Sequence, residues 1–146
     1  GEVPEGDYVI EIGKADIKRQ GTDITVISYG ITVQYALQAA EELAKEGISV
    51  HILDLRTIQP LDKDAILEAA AKTGKVLIIH EDNKTGGVGA EVSAIIAEEL
   101  LFDLDAPIRR LCAPDVPAVG MNPPMEKFFL LSADKIKDAM RELAEF

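Results

Sequence analysis

The sequence predicts a three-layer α/β/α domain on a mostly parallel, five-stranded sheet, and three observations carry that reading. From Ile24 onward, short β-rich apolar runs alternate with longer stretches of helical periodicity, the pattern of strand–helix–strand units packed on a parallel sheet. The run Val76 to Ile79 is apolar at consecutive positions, as suits a strand covered on both faces. With 146 residues and 47% apolar composition, the chain has material for one core and shows no break that starts another.

Residues 1–20 read as a linker and edge segment, with the domain itself over 21–146; Pro4, Gly6 and the acidic Glu2, Glu5 and Asp7 punctuate the leader. The run "ITVISYG", Ile24 to Gly30, is the first strand of the parallel core. Thr32 is placed to cap a helix with Val33, Ala36, Leu37, Ala40, Leu43 and Ala44 inward, closed by Gly47. The second unit is a strand from Val50 to Leu55, a turn through Arg56 and Pro60, and a helix near Asp62 to Thr73 whose free amides Asp62 can cap. Its Ile66, Leu67 and Ala70 face inward, and Gly74 ends it. "KVLIIHE" follows as a third strand, expected to be central. A glycine-rich turn, residues 86–89, then opens a helix, and "APIRRLC" is a strand from about Ile108. Pro114, Pro117, Pro123 and Pro124 predict an irregular or extended surface segment, after which Ser132 caps a last helix ending near Leu143.

Charge and composition exclude several classes. A net charge of −11 repels phosphate backbones and anionic lipid, which points away from nucleic acid and membranes and toward a basic protein partner. No apolar run is long enough to span a bilayer, and acidic residues stand where a secretory signal carries basic ones, so a cytoplasmic location is expected. The single Cys112 forms no internal disulfide, and with only His51 and His80 beside it there is no zinc-site spacing. The start at Gly1 reads as one domain of a longer chain.

Candidate chemistry is sparse. "GGVG" at 86–89 lies between a strand and a helix, where amides and the helix dipole can hold a phosphate, but it lacks the spacing and position of a dinucleotide fingerprint. Close packing of helix on sheet is the simpler account. His80 ends a strand beside Glu81 and Asp82 with no nucleophile adjacent in sequence, and reads as a structural or interface residue. His51, inside a strand, and Cys112, ending one, read as packed side chains. Asp54 and Arg56 stand at the carboxyl end of a strand, where Arg56 is suited to bridging loops or subunits. No nucleophile elbow or phosphate-loop lysine is present, and as an isolated enzyme the sequence is unpersuasive.

In order, "ITVISYG", "VHILDLRTIQPLD", "KTGKVLIIHEDNKTGGVGAEV" and "DLDAPIRRLCAPDVP" resemble the carboxy-terminal domain of the beta subunit of thiamine-diphosphate-dependent 2-oxoacid dehydrogenases. The Asp-Leu-Arg-Thr and Pro-Leu-Asp pattern is shared with the wider transketolase-like superfamily. "IIHEDNKTGG" and "LLFDLDAPI" look most like the branched-chain, 2-oxoisovalerate version. The pyruvate and acetoin enzymes, a transketolase or 1-deoxyxylulose-phosphate synthase tail, and a free-standing domain for an anionic ligand are the alternatives.

The resemblance implies a transketolase C-terminal domain-like fold and a role in assembly. In that family the holoenzyme decarboxylates the oxoacid and acylates lipoyl groups. Thiamine diphosphate and magnesium are held by the alpha subunit and the amino-terminal half of the beta subunit, so no cofactor is expected on this chain alone. The implied partners are the alpha subunit, a second beta subunit and the basic subunit-binding domain of the dihydrolipoyl acyltransferase. The implied docking residues are Asp105 and the terminal carboxylate of Phe146, with Arg56, His80 and Asp54 as interface or structural residues. The segment "APDVPAVGMNPPMEKFF" departs from the family's wording.

Overall fold

A computed structural model describes residues 3–117 and 120–146. The first two residues of the leader and Ala118 and Val119 of the proline-rich segment lie outside the described residues. The strands are β1 (Asp16–Arg19), β2 (Ile24–Ser28), β3 (Val50–Asp54), β4 (Val76–Asn83) and β5 (Arg109–Ala113). The helices are α1 (Ile31–Lys45), α2 (Lys63–Thr73), α3 (Val88–Leu100), α4 (Pro123–Phe129) and α5 (Ala133–Ala144).

The sheet order is β1-β3-β2-β4-β5, with β1 antiparallel to β3 and the remaining pairs parallel. The third predicted strand, β4, is therefore interior but not central; β2 takes the centre, and all of its residues are buried. The chain leaves β2 toward β3 and then crosses back over β2 to β4. A constant hand of crossover therefore puts α1 and α2 on opposite faces. The cores agree: Val26, Ile52 and Ile79 pack with Val33, Leu43, Ile136 and Met140 of α1 and α5. Ile27, Leu53 and Ile78 pack with Ile66, Val92 and Ile96 of α2 and α3. Buried polar groups on β2 are paired, Thr25 donating to the Ala69 carbonyl at 2.7 Å and Ser28 to that of Ile79 at 3.0 Å.

Several ends follow the predicted caps. Asp62 accepts from the Ala65 N–H and Ser132 from the Lys135 N–H, both at 3.3 Å. α1 closes with Ile48 N–H on the Leu43 carbonyl and Gly47 N–H on that of Ala44, with Gly47 left-handed at φ +87°, the paired C-terminal bonds of a Schellman motif.

Three expectations are corrected. Thr32 is not the cap of α1: Gly30 occupies that place at φ 67°, and Thr32 is buried in the first turn with its hydroxyl on the Tyr29 carbonyl at 2.8 Å. Ala44 is exposed, and Ala39 takes its place in the core. The proline-rich segment is not irregular throughout, because Pro123 and Pro124 begin α4. Nitrogens in a first turn have no intrahelical acceptor, so proline costs nothing there, and Asn122 caps the turn by accepting from Met125 N–H at 3.0 Å.

Candidate functional site

The turn after β3 is held by charge. The Asp54 carboxylate accepts from the Arg56 N–H at 3.0 Å, and the Arg56 guanidinium meets Asp16 of β1 at 2.8 Å. Lys18 reaches the same Asp16 at 2.6 Å and Asp54 at 3.8 Å. The hydrogen bond from Lys18, with its charge and that of Arg56, holds the Asp16 carboxyl below the ordinary carboxylate range. Arg56 and Asp54 thus fasten the edge strand to the end of β3. Arg56 does so from the left-handed region at φ 55°.

His80 does not end its strand, because β4 runs on to Asn83; it is fully buried inside β4, with its Nε2 3.3 Å from Cys112 Sγ on β5 and its ring stacked on Tyr29 at 6.2 Å. Burial lowers the imidazole pKa, with Asp82 opposing, and raises that of the thiol. Both effects favour the neutral pair, the reverse of an activated thiolate–imidazolium nucleophile. A Cβ on Gly87 would lie 2.6 Å from His80 Cε1, and one on Gly89 would lie 2.6 Å from Nε2. The imidazole packed under the turn therefore requires glycine at 89 and, with the Asn83 carbonyl, at 87, whereas Gly86 stands in open space at φ +76°. His51 is also buried, its Nδ1 finds no partner among the described residues, and burial and then Lys72 lower its pKa.

The structure brings Asp105 and Phe146 together. Both line one shallow depression of about 400 Å3, whose remaining wall includes Leu101, Leu104, Pro107 and Ile108. Asp105 is held from behind: its N–H donates to the Gly74 carbonyl at 2.8 Å, and a Cβ on Gly74 would lie 2.5 Å from its carboxylate. Phe146 follows α5, its N–H on the Leu143 carbonyl at 3.3 Å and its side chain 63% exposed. Beside them Leu101 is 59% and Phe102 98% exposed. Glu98, Glu99 and Asp103, which flank Leu101 and Phe102 in the chain, are exposed. An apolar centre with an acidic margin suits a basic partner that also buries aliphatic side chains.

Residues 13–136 match the family described as Transketolase, C-terminal domain. The chain belongs to that family. This transketolase C-terminal domain is 64% identical over its whole length to 2-oxoisovalerate dehydrogenase subunit beta of Bacillus subtilis (strain 168), of which it covers 45%. It is 42% identical over 145 residues to the pyruvate dehydrogenase E1 component subunit beta of the same organism, with 99% of the chain and 44% of that protein covered. Among solved structures, a split-gene transketolase in the form of an inactive beta4 tetramer superposes with a TM-score of 0.84 at 27% identity. The match covers 99% of this chain and 46% of that one. The chain spans a little under half the length of these relatives.

For a transketolase C-terminal domain, the diphosphate end of thiamine diphosphate is the group to test against the strand ends. On their side-chain face Gly87 and Gly89 are closed by the His80 ring, which leaves only their backbone amides to meet such a group. The sequence reading missed Leu101, Leu104 and Ile108 as the floor beside Asp105, and Asp16 and Lys18 as partners of Arg56. The only signal for the first group was an apolar run that outlasts α3; the second depends on β1 folding back antiparallel onto β3.

Proposed function

We propose that this chain is the assembly and docking domain of the beta subunit of a branched-chain 2-oxoacid dehydrogenase. In the holoenzyme, thiamine diphosphate with magnesium supplies the chemistry that decarboxylates the oxoacid, and other parts of the enzyme bind it. Identity of 64% to the 2-oxoisovalerate enzyme against 42% to the pyruvate enzyme of the same organism supports the branched-chain assignment. The structurally similar split-gene transketolase is an inactive beta4 tetramer. That supports a neighbouring beta subunit, alongside the alpha subunit, as an assembly partner.

The observation that carries the docking role is the meeting of Asp105 and Phe146 on one depression. The Asp105 carboxylate, fixed against Gly74, presents an acceptor to Arg or Lys of the basic subunit-binding domain of the dihydrolipoyl acyltransferase, with Phe146 beside it on the same depression. Calorimetry of the chain with that domain tests it. Asp105→Ala, or residues appended after Phe146, should weaken binding by about tenfold or more, and added salt should weaken it further. Binding that is absent, or indifferent to all three changes, would refute the docking role.

A further inference from the structure

We propose that the outer edge of β5 accepts an extended peptide of alternating acidic and apolar residues as a sixth strand. β5 ends the sheet order and pairs with β4 alone; among the described residues no backbone hydrogen bond outside that ladder involves Arg109–Ala113. An open parallel edge of this kind presents unsatisfied N–H and C=O groups, here over Arg109–Cys112, since Ala113 at its end is buried.

Space lies beside that edge. Two adjoining hollows of about 330 and 210 Å3 share Arg110 and Leu111 and run the length of the strand. Lys135, Ala139 and Leu143 of α5 form their wall, and the small Ala139 leaves room for a neighbouring backbone.

The charge of the edge names the occupant. In a chain of net charge −11, these hollows collect Lys84, Arg109, Arg110 and Lys135, none of which forms an ion pair among the described residues. The acidic side chains that face them are Asp115, which accepts from the N–H and hydroxyl of Thr85, and Glu142, and Phe146 of the docking depression also lines the second hollow. Lys135 donates to the carbonyls of Lys127, Phe128 and Leu130, which fixes its position and leaves its charge in place. Successive strand residues point to opposite faces, so the acidic side chains of an added strand would meet Arg110 on one face and its apolar side chains would meet Leu111 with Ala139 on the other. Edge charges also serve to repel strand pairing, but they repel only like charge, and an acidic strand is the one they favour.

The test is a titration of the chain with acetyl-Glu-Val-Glu-Val-Glu-amide, read by calorimetry and by amide hydrogen exchange. Saturable binding is expected, with exchange of amides within Arg109–Ala113 slowed about tenfold or more. Arg110→Glu should weaken it about tenfold or more. A peptide with prolines in place of both valines should not bind, because proline cannot complete the ladder. Equal binding of the proline peptide, protection elsewhere, or no binding at millimolar peptide would overturn the proposal. Protection of the same amides without peptide, rising with chain concentration, would overturn it in favour of a second copy as occupant.

Discussion

Gly89→Ala sets two effects of opposite sign against each other. Gly89 lies in the first turn of α3, where alanine is the better helix former by about 1 kcal/mol, so propensity alone predicts stabilisation. The structure predicts the reverse. The new Cβ would lie 2.6 Å from His80 Nε2, 2.9 Å from Cδ2 and 3.3 Å from Ile78 Cγ2. His80 has no room to yield, being fully buried, stacked on Tyr29 and bonded to Cys112. Overpacking of this kind costs about 1–3 kcal/mol, and displacing the imidazole from the thiol adds about 0.5–1.5 kcal/mol. The net expectation is a loss of about 1–3 kcal/mol after the helix gain is credited. In urea, that lowers the unfolding midpoint by about 1 M at the slopes usual for small proteins. The His80→Ala background isolates the cause: with the ring gone, Gly89→Ala should become neutral or stabilising, a coupling of about 2 kcal/mol or more. A stabilising effect in the native background, or additivity in the cycle, would refute the packing account of the glycine turn.

Other positions give shorter tests. Gly21→Ala should be among the most damaging substitutions, because its Cβ would fall within the Val50–His51 backbone, which cannot rotate away; a loss of about 3 kcal/mol or more in urea unfolding is expected, beyond the usual overpacking range. Arg56→Gly should leave stability near that of the native chain, since relief of the left-handed backbone, about 1 kcal/mol, offsets an exposed pair with Asp16 worth at most about 1 kcal/mol. Arg56→Ala keeps the backbone cost and loses the pair, so it should melt lower than Arg56→Gly. For pH, burial lowers both histidine pKa values below 6.5, so the unfolded chain takes up protons first as pH falls. Stability should be complete above about pH 6.5 and decline below it, and urea midpoints of His51→Gln and His80→Gln should show a shallower decline between pH 7 and 5.

Most of the layer architecture was legible because burial on both faces leaves a period-free apolar run in β4 and a helical period in α1 and α2. Caps with one chemical solution, Asp62, Gly74 and Ser132, were legible for the same reason. The misread elements are those where one residue type serves two ends. A hydroxyl such as Thr32 can cap a helix or fold back on a carbonyl, and only the left-handed Gly30 decides that α1 has already begun. Proline breaks a helix interior but opens a helix, so α4 hid behind the residues that start it. Of the candidate surface, Asp105 was marked by family wording alone. Its apolar surroundings come from three segments, the end of α3, the approach to β5 and the end of α5, and no local pattern records that meeting.

How α5 is held decides what salt does to that surface. The helix carries Phe146 to the depression and walls the β5 edge, and it makes exposed ion pairs to α1, Lys137 to Glu42 at 2.5 Å and Arg141 to Glu46 at 2.7 Å. Were those pairs its anchor, salt would loosen the helix and weaken any docking through disorder alone. Its Ile136 and Met140 are fully buried and Leu143 is 2% exposed, however, and burial of each such side chain stabilises by about 1.5–3 kcal/mol, a contribution salt does not screen. The hydroxyl cap of Ser132 and the Lys135 bonds to α4 carbonyls fix its start. Salt therefore acts on the charges that face a partner while α5 stays in place. The thermal midpoint of the chain should move little across a salt range that abolishes docking, and a parallel fall of both would show that the ion pairs, not the core, position the carboxy terminus.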